Sequence, residues 1–586
     1  MPSPDSTILR GTGVSSGIVI GQVLLVGRRE VQVSRRRISA DEVATEVERF
    51  EGALDHAKAQ LEALRVQVVE AVGEDSAQIL DSHLMLVEDQ TVTSQVKTTI
   101  EQDLCNAEHA FEIVLERYIE LLSQAEDRYI RERLADIRDV GDRILSNLQG
   151  GAFVDLTQLT HPAILVAHDL APSDTAAMDR QNVLGFVTAL GSRTSHTAIM
   201  ARAMGIPAVV GLSDDLDRIA AGDEIIVDGA HGTVIVNPSD AELSEYRKRI
   251  HDQELWFEQI QAEASLPAET IDGFHVRLAA NIELPEEVDG LKRAYGVGIG
   301  LFRTEFLFLK RGNLSEEEPQ FRAYREVAEK IYPQSVIFRT LDIGGDKFIS
   351  HLDVPRELNP FLGMRAIRFS LSRLEIFHAQ LRAILRASAY GKVRIMFPMI
   401  STLEELLQAR EVLEKVKADL KREGIPHNAH LDVGIMIEVP AAALLADKLA
   451  PHVDFFSLGT NDLVQYSLAV DRSNPDISYL YQPSHPSIIQ LIRHVVEAAY
   501  NHGKWVGICG EMAAEPLLAP LVLGMGIHEL SMSPVAIGPI KRLVRHMRMY
   551  EAEALVAEAL GCGTAEEVLD LCREFLQRVC PEILPS

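Results

Sequence analysis

RIMFPMI (Arg394–Ile400), EELLQAREVLEKVKADLKREG (Glu404–Gly424) and VGIMIEVP (Val433–Pro440) follow one another in the C-terminal half of the chain. The outer two are short, continuous apolar runs of strand length. The middle one repeats apolar residues every three or four positions and ends on glycine, as an amphipathic helix does. Strand, helix, strand is the signature of a parallel βαβ unit. The same rhythm extends outward in both directions, through VRLAANIE (Val276–Glu283), GIGLFRTEF (Gly298–Phe306) and VIFRTLDIGGD (Val336–Asp346) on one side. On the other side it continues through FFSLGTND (Phe455–Asp462), WVGICGE (Trp505–Glu511) and ELSMS (Glu529–Ser533). Eight strand-like runs, mostly separated by helical patterns, predict a (β/α)8 barrel over residues 268–586.

These runs repeatedly end in a charged or polar residue, and the C-terminal ends of barrel strands are where chemistry is housed. Arg303, Glu305, Arg339, Asp342, Asp346, Glu438, Asn461, Asp462, Cys509 and Glu511 all fall at such ends. A single buried carboxylate there could be structural, but several arginines, separated acids and a cysteine at successive ends point to a site. Arg303, Arg339 and Arg365, with Arg472, can clamp an anion carrying both carboxylate and phosphate through bidentate contacts. Glu438 and Asp462 are hard oxygen ligands, too few for a calcium cage but suited to Mg²⁺ completed by water and phosphate. Neither a P-loop nor the kinase loop set is present, so ATP chemistry is not indicated. His485 and the thiol of Cys509 remain as acid–base candidates.

A second constellation lies earlier, in GSRTSHTAIMAR (Gly191–Arg202), where a turn-like segment becomes a helix at His196. A helix start offers free N–H groups and the positive end of the dipole to an anion, and it disfavours imidazolium. A neutral His196 could act as a nucleophile, with Arg193 and neighbouring hydroxyls to receive a phosphoryl group. The same placement also suits a helix-cap histidine with no chemistry.

The N-terminal half divides in turn. GTGVSSGIVIGQVLLVG reads as short strands with glycine turns, and strands resume at ILVAHDL, VLGFVTAL, AVVGL, EIIVDG and TVIVNP. Between them, no proline occurs from Pro4 to Pro162 and no glycine from Glu74 to Val140. With apolar spacing at Val43, Val47, Phe50, Leu54, Leu61 and Leu64, this is an antiparallel helical bundle. Ser239 and Glu242 have capping-box spacing and open a linker helix that Pro267 stops.

The formal charge of −29 in 586 residues argues against nucleic acid as a partner. An anionic substrate would need a local positive pocket in so acidic a molecule, which clustered arginines could supply. Mean hydropathy of +0.03 marks globular units with real cores. No apolar run reaches membrane-spanning length, no signal pattern opens the chain, and five scattered cysteines with no zinc-like pairs fit a reducing cytosol.

GSRTSHTAIMAR, GLFRTEF, RTLDIGGDK, NPFLGMRAIR, RIMFPMI, SLGTNDLVQYSLAVDR and GICGEMA, in this order and spacing, resemble the motifs of enzyme I of the bacterial sugar phosphotransferase system. The likeness runs from about Leu9 to beyond Ser533. It implies a phosphoenolpyruvate–protein phosphotransferase in which His196 is phosphorylated. Arg303, Arg339, Asn461 and Arg472 would contact phosphoenolpyruvate, Glu438 and Asp462 would hold Mg²⁺, and Cys509 would be the proton donor that yields pyruvate. Arg365 and Asp462 are counted with the substrate set as well.

The resemblance also implies that residues 1–36 and 151–238 form one α/β phosphohistidine subdomain, and that 37–150 is an inserted helical subdomain. Residues 239–267 would be a swivelling linker and 268–586 the barrel through which a cytoplasmic homodimer forms. The inserted helices would dock the phosphocarrier HPr through Asp81–Leu86 and Arg128–Asp139. Three positions depart from the commonest pattern, Ser192, Ala171 and Val439, and none removes a reacting group. A regulatory nitrogen-branch relative would carry an N-terminal GAF domain, and pyruvate phosphate dikinase or phosphoenolpyruvate synthase a nucleotide-binding domain; neither is expected here. A non-catalytic signalling relative would not be expected to keep the Arg, Glu, Asp, His and Cys set.

Overall fold

The computed structural model describes residues 6–15, 17–26, 34–72, 80, 83–123, 134–149, 161–168, 170, 182–191, 198, 201, 205–294, 297–309, 316–344, 359–472, 474 and 476–583. The chain divides into two compact units, Met1–Glu254 and Leu255–Ser586.

In the first unit, β1 (Thr7–Arg10), β2 (Thr12–Ser15) and β3 (Ile18–Leu25) join β4 (Ala163–Ala167), β5 (Val183–Thr188), β6 (Ala208–Val210), β7 (Glu224–Asp228) and β8 (Thr233–Val236). They form one mixed sheet ordered β1-β8-β7-β3-β4-β5-β6-β2. Strands β7 and β8 are runs of Ile and Val whose side chains are buried, as expected for strands covered on both faces. Strands β3 and β4 are parallel neighbours, yet more than a hundred residues separate them. That interval holds the helices Val43–Val72, Gln90–Asp103, Ala107–Ser123 and Leu134–Leu148. Phe50, Leu61, Leu64, Phe111 and Ile144 sit at the centre of the bundle's core, with Val43, Val47 and Leu54 packed against it. The spacing read from the sequence therefore faces inward.

The helix Asp240–Glu263 follows. Its first turn is closed by the capping box expected from the sequence: Glu242 Oε2 accepts from Ser239 N at 2.7 Å and Ser239 Oγ accepts from Glu242 N at 3.3 Å. Leu243, Tyr246 and Ile250 pack with Ile18, Ile226 and Ile235 of the sheet, and Arg249 donates to Asp228 at 3.0 Å. At the other end, Arg542 lies 5.0 Å over the Trp256 ring and pairs with Glu263 at 2.6 Å. Lys541 Nζ donates to the carbonyl of Ala264 at 2.5 Å. Cations at a helix C-terminus meet its orphan carbonyls and the negative end of its dipole. Residues His251, Asp252, Gln253, Glu254 and Leu255 between these anchorages are exposed.

In the second unit, β9 (Arg277–Ile282), β10 (Gly298–Arg303), β11 (Ser335–Arg339), β12 (Lys392–Phe397), β13 (Val433–Ile437), β14 (Phe455–Leu458), β15 (Trp505–Ile508) and β16 (Glu529–Met532) close into an all-parallel barrel. These are the eight runs read from the sequence. The helix Leu403–Glu423 between β12 and β13 starts on a Thr402/Glu405 capping box and stops at Gly424, whose φ of 72° favours glycine. Leu301, Ile337, Met396, Met436 and Phe455 fill the barrel interior together with Cys509. At the strands' N-terminal end Trp505 stacks on Phe455 at 4.5 Å, with Arg277 and Arg394 against the indole. The plugged floor leaves the C-terminal mouth for chemistry. Among the described residues, no helix is long and apolar enough to cross a membrane.

Candidate active site

Two neighbouring groups of side chains occupy the barrel mouth. The first is a pocket of about 260 Å³ whose wall includes Arg303, Asn461 and Cys509 along with Asn281, Glu283 and Glu511. Arg303 extends from the end of β10 and donates to Glu283 at 2.8 Å, about one-third exposed. A guanidinium held by one surface carboxylate keeps donors free for an incoming anion. Asn461 sits in the first turn of the helix Thr460–Leu468. It exchanges two hydrogen bonds with Glu511, giving from Nδ2 at 3.1 Å and accepting from Glu511 N at 2.8 Å. Arg472 stands at the rim, 3.8 Å from Glu511 and 41% exposed.

The second group is buried. Arg339, at the end of β11, pairs with Glu305 at 2.5 Å and Asp342 at 3.0 Å. Arg365 pairs with Asp342 at 3.1 Å and Asp462 at 3.2 Å, and donates to the Tyr466 hydroxyl at 3.0 Å. The neighbouring carboxylates hold both guanidinium groups firmly in the charged form, against the penalty of burial. Arg365 lies on no strand; it precedes the helix Ala366–Ser372, whose first residue has φ 52°. Glu438, after β13, is buried and accepts from the amide of Met399, itself at φ 55°, at 2.6 Å. Two non-glycine residues in the left-handed region beside Arg365 and Glu438 are the kind of local strain that a functional site retains.

Burial pushes Glu438 up to about 8, helped by Asp462 and Asp342 and opposed by Arg339 and Arg365. Three carboxylates so close together hold more negative charge than two arginines comfortably balance, which is an environment that welcomes a cation. Gly459 leaves room for the Glu438 side chain: a Cβ there would lie 2.9 Å from Glu438 Oε2. Among the described residues no cluster of three His, Cys, Asp or Glu side chains is arranged as a preformed metal cage. A Glu–Asp pair completed by water and substrate oxygens fits Mg²⁺, which takes one or two carboxylates from the protein.

Cys509 links the two groups. It lines the pocket, and its thiol is influenced by Arg339, Glu438 and Arg303. Burial pushes it up to about 11, so at neutral pH it is a thiol and holds a proton to give. Ser457 Oγ donates to Sγ at 3.4 Å.

His485 is otherwise employed. Its Nδ1 accepts from Ser487 N at 3.2 Å and caps the helix Pro486–Asn501, a structural use of that ring nitrogen. His196, with Arg193, Ser192 and the hydroxyls around it, lies outside the described residues, as do Ala171 and Asp346. Of the expected docking segments, Asp81 and residues 128–133 are also outside them. Met85 is 73% exposed, whereas Leu86 packs against the bundle core and Asp139 is buried. The residues not anticipated are Asn281, Ser457 and Ser531. Asn281 donates to the carbonyl of Cys509 at 3.0 Å and accepts from Ser531 at 2.7 Å.

Comparison with known proteins agrees with this architecture. A family model described as "PEP-utilising enzyme, PEP-binding domain" matches residues 258–549. Models for the mobile and N-terminal domains of PEP-utilising enzymes match residues 159–232 and 10–133. The phosphoenolpyruvate–protein phosphotransferase of Listeria innocua is 44% identical over 97% of this chain and 99% of its own. That of Haemophilus influenzae is 42% identical over 97% of this chain and 99% of its own. The relative from Enterococcus faecalis is 43% identical over 97% of this chain and all of its own. With identity of this level from end to end, and a barrel mouth that carries arginines, paired acids and a thiol, the chain belongs to the enzyme I family of phosphoenolpyruvate–protein phosphotransferases.

Proposed function

We propose that the protein takes the phosphoryl group of phosphoenolpyruvate onto His196, with Glu438 and Asp462 holding Mg²⁺, and passes it to HPr as the first step of sugar uptake. The observation that carries this reading is the barrel mouth itself: an open pocket walled by Arg303, Asn461 and Cys509, flanked by the buried Arg339–Arg365–Glu438–Asp462 cluster.

Arg303 and Arg339 bind and orient the trianionic substrate, and Asn461 and Arg472 border it. Bound between Glu438 and Asp462, Mg²⁺ would neutralise charge on the transferring phosphoryl group. A ring nitrogen of neutral His196 attacks phosphorus as the bond to the enol oxygen breaks. Arginine donors already fixed by ion pairs stabilise the spreading charge without reorganising. The enolate left behind takes a proton at carbon from the Cys509 thiol and becomes pyruvate.

Domain roles follow the same reading. Residues 1–36 with 151–238 form the phosphohistidine subdomain, 37–150 the carrier-binding helices, 239–267 the linker, and 268–586 the barrel through which a cytoplasmic homodimer forms. Exposed Met85 supports carrier docking at that helix. The test separates the half-reactions. Arg303→Ala and Glu438→Ala are expected to lose labelling from phosphoenolpyruvate yet still to accept a phosphoryl group at His196 from phosphorylated HPr. Loss of both half-reactions in well-folded variants would sink the division of labour. Sedimentation that finds only monomer at micromolar concentration with both ligands present would overturn the dimer.

A further inference from the structure

The thiol of Cys509 is buried, at 5% exposure. Leu301, Ile337, Met396, Met436 and Phe455 surround it inside the barrel. Its own S–H is directed toward the carbonyl of Leu458 at 3.7 Å, and the hydroxyl of Ser457 points at the sulfur from 3.4 Å. Both residues are fixed by the barrel. Ser457 lies on β14 in register with Gly507 of β15, two residues before Cys509, and Cys509 N donates to Leu458 O at 3.1 Å. Ser457 is itself buried, at 4% exposure. A hydroxyl placed inside an apolar strand with its proton turned to a sulfur is costly unless that bond is used.

We infer that Ser457 is a positioning residue for the proton-transfer step, holding Sγ at the pocket wall and stabilising the thiolate that remains after the proton has left. The inference rests on the reading of Cys509 as the proton donor. In that step the C3–H bond of pyruvate forms while the S–H bond breaks, and the electron pair stays on sulfur. Water returns a proton before the next turnover. The thiolate appears at a buried position, with the barrel's apolar side chains on one side, where a hydrogen bond to a charged atom is worth more than one to the neutral thiol. The charged groups acting on it are Arg339, Glu438 and Arg303, from three other strands, and a change at Ser457 removes none of them.

The reverse of this step gives a direct assay: exchange of pyruvate methyl hydrogens in D₂O, followed by NMR, with the full-length protein and Mg²⁺. Exchange requires the thiolate as base. Ser457→Ala is expected to lower it about 10- to 100-fold at neutral pH, the worth of one hydrogen bond to a charged group, and to shift its pH profile upward. Ser457→Thr, which keeps the hydroxyl, is expected to restore both. Folding is read from tryptophan fluorescence, Trp505 lying on the adjacent strand. Cys509→Ala separates the two ideas. If it loses exchange while Ser457→Ala keeps the parent rate and profile, the inference on Ser457 is wrong and the donor reading stands. If Cys509→Ala exchanges normally, the donor reading fails and takes the inference with it. Reduced exchange in both Ser457 variants with an unmoved pH profile would make Ser457 a packing residue only.

Discussion

Gly510 follows Cys509 and rests against the start of the helix Thr460–Leu468. A Cβ added there would stand 1.9 Å from Thr460 Oγ1, 2.8 Å from Thr460 N and 3.0 Å from Thr460 Cβ. The backbone at Gly510 is extended, φ −77° and ψ 174°, so any residue could adopt it and the constraint is purely steric. Thr460 is buried at 1% exposure and cannot swing aside. Gly510→Ala must therefore push the Cys509 loop and the helix start apart by about 1 Å. A displacement of that size in a catalytic constellation costs about 100-fold in rate, and overpacking costs about 1–3 kcal/mol in stability. Thr460 Oγ1 has no hydrogen-bond partner among the described residues, so Thr460→Ala sacrifices no bond and removes the worst contact. The 2.8 Å contact with the backbone N at position 460 remains, so the double variant should recover part of the rate and show a coupling of about 0.5–3 kcal/mol. The assay is phosphoenolpyruvate-dependent phosphorylation of HPr under saturating substrate, beside urea unfolding. A Gly510→Ala protein within twofold of the parent kcat, or a double variant no better than the single, would refute the steric account.

Arg339→Met removes a counter-charge from buried Glu305 and Asp342, the latter still paired with Arg365, and is expected to cost about 3 kcal/mol. Both tryptophans, Trp256 and Trp505, belong to the Leu255–Ser586 unit, so fluorescence in urea reads this unit alone, and an unchanged midpoint would contradict the prediction. Burial raises Glu529 above its ordinary value of 4.5, with Arg277 opposing. The folded chain then keeps a proton that the unfolded chain releases, and stability falls as pH climbs from 4.5 through the raised folded value. Glu529→Gln should gain on the parent across that window and show no gain below it; an offset independent of pH would argue for packing instead. Glu438→Gln and Asp462→Asn are each expected to weaken Mg²⁺ binding at least ~10-fold by calorimetry, and unaltered affinity in both would dismiss the pair as ligands.

The barrel was legible because its strands are buried on both faces and its helices on one, so the two periods alternate plainly in the sequence. The charged part of the site was legible for a related reason: each apolar run stops at the residue that faces the mouth. Arg365 escapes that logic, since it opens a helix, and only its motif NPFLGMRAIR marked it. Asn281, Ser457 and Ser531 sit one or two residues inside their runs, in Ala-Ala-Asn-Ile, Phe-Phe-Ser-Leu and Glu-Leu-Ser-Met. A lone polar residue within an apolar barrel strand was the available signal, because inward positions near the mouth are where such a group finds partners. The left-handed backbone at Met399 and Ala366 had no such signal. Neither is glycine, the residue that would have marked such a position.

The helix Asp240–Glu263 is bolted at one end by Leu243, Tyr246, Ile250 and Arg249, and at the other by Trp256, Glu263 and the carbonyl of Ala264. The span from His251 to Leu255 is exposed, and it lies between the two sets of anchoring contacts. A protease meets five consecutive exposed residues there, His251 to Leu255. A cut there would leave each half with its core whole, so the two units could be made as separate polypeptides without either losing a buried residue.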